Sequence, residues 1–219
     1  MADPDARRSR LALVARAVLT VARLGFAAAG IVAITYQFAS LRQGLPTFSP
    51  GNFFSFFTIQ TNLLAIAMLA LVVVVRPPER TILFDAVRGA VTLYIAITGV
   101  VFALLLAGMQ ESLDTHIAWV DFTVHKLMPL VLVVDWLLDP PRHRLSLRIG
   151  ATWLLYPFAY LVYTLIRGAS VGWYPYPFLD VSKHGYGGVL LRCVAMLIGM
   201  VAAAAAFVVV GNRRVRAAD

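Results

Sequence analysis

Charge and cysteine are both scarce in this chain of 219 residues. Charged side chains make up 14% of it and hydrophobic ones 60%, against a charged share of about 25% in ordinary soluble domains, so a soluble globular fold is excluded. The single cysteine, Cys193, falls within an apolar run, which rules out an intrachain disulfide and any site built on paired cysteines. Acids are scarcer than bases, 11 against 19, and no His-x3-His or Glu-x2-His spacing occurs, so neither zinc nor a di-metal carboxylate centre has its ligands. A haem held by two histidines fails in the same way. Of the four histidines only His125 lies within an apolar span, with His116 at a rim and His143 and His184 in connections. No metal and no cofactor are expected.

What the chain has in quantity is long apolar runs. A hydrocarbon core of about 30 Å takes about 20 helical residues to cross. Six stretches qualify, at about 15–40, 53–75, 86–108, 117–138, 147–167 and 186–210. They are separated by RPPER (76–80), MQESLD (109–114), DPPRHR (139–144) and other polar or proline-bearing segments that neither continue a helix nor suit lipid. The expected fold is therefore all-α: one integral membrane domain of six spans over 1–219, with short tails at 1–12 and 211–219. The first apolar run, after RRSR (7–10), is too long for a secretory signal and reads as a retained span.

The net charge of +8 could suggest nucleic acid, but the basic residues punctuate the ends of apolar runs instead of forming a stripe. They report orientation. With the amino terminus in the cytoplasm, twelve fall inside, from Arg7, Arg8 and Arg10 to Arg213, Arg214 and Arg216, and three outside, Arg42, Arg167 and Lys183. Both termini are then cytoplasmic, and the outer connections are 41–52, 109–116 and 168–185. The expected location is a plasma membrane, and the richness in alanine, valine and arginine suits a bacterial inner membrane.

This orientation gives depth to the polar residues inside the spans. FFTIQTN (56–62) places Thr58, Gln60, Thr61 and Asn62 at the head of the second run, where they must find partners in the protein or line a wet recess. Thr58 lies roughly 9 Å below the outer end of its span, His125 roughly 12 Å and Arg192 roughly 10 Å, which puts all three in one layer. Thr58 alone can simply bond the carbonyl one turn back. His125 is costlier to bury and has Asp121 four positions earlier on the same helix face, within reach of the ring. Arg23 and Arg192 each need an acid, a carbonyl or an anionic headgroup, while Lys126 can snorkel to the interface. Asp135, Trp136 and Asp139 gather at the inner end of the fourth span with no chemistry assigned. Near the outer face, GWYPYPFLD (172–180) holds Trp173, Tyr176, Pro177 and Asp180 in a stiff aromatic stretch that reads either as an interfacial belt or as a lid on an outward-opening pocket. A hydroxyl and an imidazole on different helices at like depth are the materials of a nucleophile and its base.

Three blocks carry a resemblance. FFTIQTNLL (56–64), WVDFTVHKLMP (119–129) and YPFLD (176–180) resemble, in order, stretches of the androgen-induced membrane protein family and of its bacterial Pr-six-Pr branch. The animal members are multi-span threonine hydrolases of fatty acid esters of hydroxy fatty acids. The resemblance implies Thr58 as nucleophile and His125 as base, acting on a membrane lipid or fatty acyl ester that arrives laterally from the outer leaflet. Asp121 would orient the base, Thr61 offers a competing hydroxyl, Asn62 and Lys126 are candidate oxyanion donors, and Arg192 is a supporting residue. The competing expectation is a non-catalytic protein that binds or transports a lipid or small amphiphile with the same polar layer.

Overall fold

The computed structural model describes residues 4–75, 77–106 and 117–216, and among these every regular element is helical. The segment 109–116, with His116 and the MQESLD break, lies outside the described residues. Helix α1 (Pro4–Gly44) leads to a short α2 (Pro50–Phe54) and then α3 (Phe57–Val74). Helix α4 (Ile82–Val101) runs on into a π-helical turn, Phe102–Leu106. A second continuous rod, 118–138, consists of α5 (Ala118–Phe122), a π turn (Thr123–Leu127) and α6 (Met128–Leu138). Helices α7 (Leu147–Thr152), α8 (Leu155–Val171) and α9 (Val181–Arg216) complete the bundle.

Local chemistry sets the ends of these elements. Ser49, Thr81 and Ser146 each accept a hydrogen bond from the backbone N–H three residues on, capping α2, α4 and α7. Gly172 closes α8 in the left-handed region at φ 67°, open to glycine without a Cβ penalty, and turns the chain into the 173–180 strap.

Among the described residues, five helical segments are long and apolar enough to cross a membrane: Arg10–Gly44, Phe57–Val74, Ile82–Leu106, Leu147–Val171 and Val181–Arg213. This is a multi-pass membrane protein. The 118–138 rod is of similar length but carries Asp121, Lys126 and Asp135, charges that set it apart from the five. Two expected boundaries change: helix runs through most of the stretches read as tails, starting at Pro4 and ending at Arg216. The expected second span is broken by the Ser55–Phe56 corner, which divides α2 from α3.

Helix α3 is central, burying Ile59, Ala65, Ile66, Leu69 and Val72 against α1, α4 and the 118–138 rod. A second apolar cluster joins Leu93, Trp136, Trp153, Ala204 and Val208, and a third gathers Tyr176, Phe178, Leu179 and Val189 beneath the strap. Large apolar side chains also cover the outside, Leu130, Phe158, Ile166 and Leu191 among them, as a lipid-facing surface requires.

One end of the bundle is locked by buried charge. Arg23 Nε donates to Asp135 (2.6 Å) and its guanidinium also reaches Asp139 (2.6 Å), while Arg80 donates to Asp139 (2.9 Å) and Arg88 to Asp135 (2.8 Å). Arg88 further caps the carbonyls of Asp135 and Asp139 and lies over the Trp136 ring. These bonds tie α1, α4 and α6 together, and of the partners expected for Arg23, an acid, a carbonyl or an anionic headgroup, it takes two acids. Burial by itself would raise the Asp139 carboxyl. Hydrogen bonds from Arg80 and Arg23 and the charges of Arg88 and Arg80 outweigh it and hold the group at about 2, below its ordinary 3.8. A carboxyl depressed by folding stabilises the fold above its ordinary range, and that stability is lost as pH falls through the folded value. The thermal midpoint in detergent should therefore hold from neutral pH to about 5 and drop below about 4. Asp139→Asn should blunt that acid drop and, at neutral pH, cost about 3–5 kcal/mol by leaving buried guanidinium without its counter-charge.

Candidate functional site

The opposite end is built around the first two turns of α3. Every polar residue of FFTIQTN beyond its two phenylalanines is stitched to a different neighbour. Gln60 accepts from Tyr156 Oη (2.6 Å) on α8 and donates to the Phe54 carbonyl (2.9 Å). Thr61 Oγ1 pairs with Thr98 Oγ1 on α4 at 2.9 Å. Asn62 Nδ2 donates to the Thr58 carbonyl (2.9 Å) and to the Val124 carbonyl (3.0 Å). Thr58 meets the strap: its backbone N–H donates to Tyr176 Oη at 3.1 Å, and its Oγ1 lies 3.3 Å from the same phenol oxygen.

The Val124 bond explains the shape of the histidine-bearing helix. Pro129 has no N–H, and the Met128 N–H turns to the Thr123 carbonyl, closing a π turn. The Val124 carbonyl thereby loses its intrahelical donor, and Asn62 replaces it from across the bundle. His125 sits within that π turn. Its Nδ1 is 2.8 Å from Asp121 Oδ1, as the i, i+4 spacing predicts, and its ring stacks on Phe102 at 4.1 Å and 14°. Phe102 opens the π turn of α4, so the two irregular turns face each other across this stack.

Two cavities flank Thr58. One, of about 520 Å³, is polar in part and is lined by Gln37, Asn52, Asp121, His125, Asp180 and Lys183, with the strap residues Trp173, Tyr176 and Pro177 on its rim. The other, of about 470 Å³, is almost wholly apolar and lies among α4, α8 and α9. Leu155, Phe158, Leu190 and Leu197 form part of its wall and are also exposed on the outside of the bundle, so it opens sideways to the lipid face. The two cavities share Thr58, Leu106 and Tyr176.

The expected site residues thus divide. Thr58, His125, Asp121, Trp173, Tyr176, Pro177 and Asp180 all line the polar cavity. Thr58 and His125 share its wall, but no hydrogen bond joins them among the described residues; the Thr58 hydroxyl is held by Tyr176. Asn62 is fully buried with both amide hydrogens engaged, so it is a structural tie and not an oxyanion donor. Thr61 is equally buried and points at Thr98, which removes it as a competing nucleophile. Lys126 is exposed and lines neither cavity, and Arg192 donates to the Gly188 carbonyl of its own helix. The like depth of Arg192 did not bring it to the site, because depth leaves the direction around the bundle open. Tyr176 as the direct partner of Thr58 escaped sequence reasoning, since only folding closes the long separation between them.

No protein-family model, no curated protein and no solved structure matches the chain.

Replacing Asn62 by leucine keeps volume but strands the Val124 carbonyl in an apolar interior. The expected loss is about 1–3 kcal/mol, read from thermal unfolding in detergent micelles. Stability equal to that of the parent protein would show that the carbonyl finds another donor.

Proposed function

We propose that this protein is a membrane-embedded lipid-ester hydrolase with Thr58 as nucleophile and His125 as general base. The observation that carries the reading is that an almost wholly apolar cavity and a partly polar one meet at Thr58, with the His125–Asp121 pair in the second. An amphiphilic ester needs this division. An acyl chain suits the apolar groove open to lipid, the ester carbonyl falls at the junction, and the remainder of the molecule lies in the polar cavity. The resemblance of the three blocks to the androgen-induced membrane protein family supports the same assignment and suggests fatty acid esters of hydroxy fatty acids as model substrates.

Asp121 beside Nδ1 favours the tautomer with the proton on that nitrogen, leaving Nε2 as the base. On attack the Thr58 proton passes to Nε2 as the Oγ1–carbon bond forms. When the tetrahedral adduct collapses, the carbon–oxygen bond to the alcohol breaks and the departing oxygen takes that proton. Water, deprotonated by His125, then attacks the acyl-threonine, and the acid and the Thr58 hydroxyl are released. The Thr58 hydroxyl must turn from Tyr176 for the first transfer, in keeping with catalytic bonds that tighten only when substrate is bound.

The setting that fits this reading is a six-span bundle in which the 118–138 rod crosses with the five more apolar segments, Asp121 facing the polar cavity, Asp135 the charge network and Lys126 the outside. Both termini are cytoplasmic, the cavity end faces outward, and the membrane is a bacterial plasma membrane. A non-catalytic lipid or amphiphile binder or transporter is the second reading, favoured by the Thr58 hydroxyl being engaged by Tyr176 and not by His125.

A fluorophosphonate probe together with a panel of acyl esters separates the two. The hydrolase reading expects labelling and turnover in the parent protein, with loss of several orders of magnitude in Thr58→Ala and His125→Ala and unchanged thermal midpoints. Lipid binding without turnover, or turnover that survives both substitutions, would overturn it in favour of the binder.

A further inference from the structure

The hydrolase reading leaves one requirement open: donors for the oxyanion that forms when Thr58 attacks. The two donors expected from sequence are both ruled out, Asn62 by its committed amide hydrogens and Lys126 by its position on the outside. The surroundings of Thr58 Oγ1 supply another. The Tyr176 phenol oxygen accepts the Thr58 backbone N–H at 3.1 Å and stands 3.3 Å from the nucleophilic oxygen. It is buried, with its ring stacked on Phe178 at 5.1 Å and 9° and set edge-on to Phe56. Tyr176 also belongs to the wall of both cavities, at the place where an ester carbonyl would lie.

We propose that Tyr176 is a catalytic residue that completes the oxyanion hole, its O–H and the Thr58 N–H acting as the two donors. A carbonyl attacked by Thr58 Oγ1 brings its oxygen within reach of the nucleophile's own amide N–H, and that N–H is now satisfied by the phenol oxygen. The phenol therefore marks the oxyanion position in the absence of substrate. When a carbonyl oxygen takes the amide, the phenol, displaced by about one oxygen diameter, turns its O–H onto the same atom. No proton is transferred in this step. The carbonyl π pair moves onto oxygen as the Oγ1–carbon bond forms, and the two hydrogen bonds hold the resulting charge until the pair returns and the alcohol leaves. Thr58 stands in the first turn of α3, where the positive end of the helix dipole reinforces the same sign of field. The phenol is suited to remain a donor. Burial pushes its ionisation up, the Thr58 hydrogen bonds offset this only in part, and it stays protonated through neutral pH.

This assignment rests on the hydrolase reading, and the experiment keeps their failures apart. Acylation by a 4-nitrophenyl acyl ester is followed in single turnovers with the full chain in detergent micelles. Tyr176→Phe keeps the ring and its packing and removes only the hydroxyl. It should lower the acylation rate by about 10²–10³-fold with KM and thermal midpoint little changed, the size of effect found when one oxyanion donor is lost. Replacement of Tyr176 by 3-fluorotyrosine keeps both ring and hydroxyl but acidifies the phenol. It should move the alkaline limb of the rate profile to lower pH and leave the acid limb in place, a displacement that a purely packing role would not produce. Near-normal acylation in Tyr176→Phe alongside an inactive Thr58→Ala overturns the role of Tyr176 and leaves the hydrolase standing. If Tyr176→Phe unfolds, an unmoved alkaline limb in the fluorotyrosine protein overturns it instead. No turnover in the parent protein sinks both.

Discussion

The Asn62 amide bonded to the Val124 carbonyl is the contact on which the arrangement of this end of the molecule depends. In lipid a backbone carbonyl without a donor is costly, and Pro129 guarantees that the 118–138 rod has one to spare. The sequence places the remedy on another helix. Asn62 satisfies Val124 while holding the Thr58 carbonyl with its other hydrogen, so one side chain fixes the backbone at the threonine and the turn that carries the histidine. The relative position of Thr58 and His125 is thus set by backbone bonds beneath them and does not rely on a direct contact between the two side chains.

The same economy governs the rest of FFTIQTN. Polar residues in a spanning helix suggest a wet pathway, but Gln60, Thr61 and Asn62 are consumed in ties to α8, α4 and the 118–138 rod. Thr58 alone among them faces both cavities. Three residues fix a frame around the fourth, which answers the demand that polar groups inside a span find partners and leaves the Thr58 hydroxyl bonded to Tyr176 between the two cavities.

Periodicity within one helix was readable, and relations between helices were not. The Asp121–His125 pair follows from i, i+4 spacing because both residues ride on one rod. The apolar runs were readable because lipid imposes length and composition together, and five of them meet that standard in the folded chain. The Ser55–Phe56 corner was hidden inside an apolar run. Arg192 shows why depth alone misleads: its guanidinium turns to the Gly188 carbonyl on its own helix. Tyr176 was legible as part of an aromatic strap but not as the partner of Thr58, since aromatic residues near an interface are accounted for by the interface itself.

The division of the molecule into a locked end and a hollow end has a physical logic. At the locked end, Arg23, Arg80 and Arg88 set three positive charges against the two of Asp135 and Asp139, and such a cluster tolerates no vacancy because each unpaired charge would sit in low dielectric. Cavities cost dispersion contacts wherever they occur, so they are best tolerated where other elements hold the walls apart. Here α1, α4 and α6 are tied together by the charges at one end, and toward the other end Thr61 and Asn62 tie α3 to α4 and to the 118–138 rod. With those helices held, the strap and the lipid-facing flank of α8 and α9 can leave volume around Thr58 without loosening the bundle, and the open volume falls where a lipid can reach it from the side.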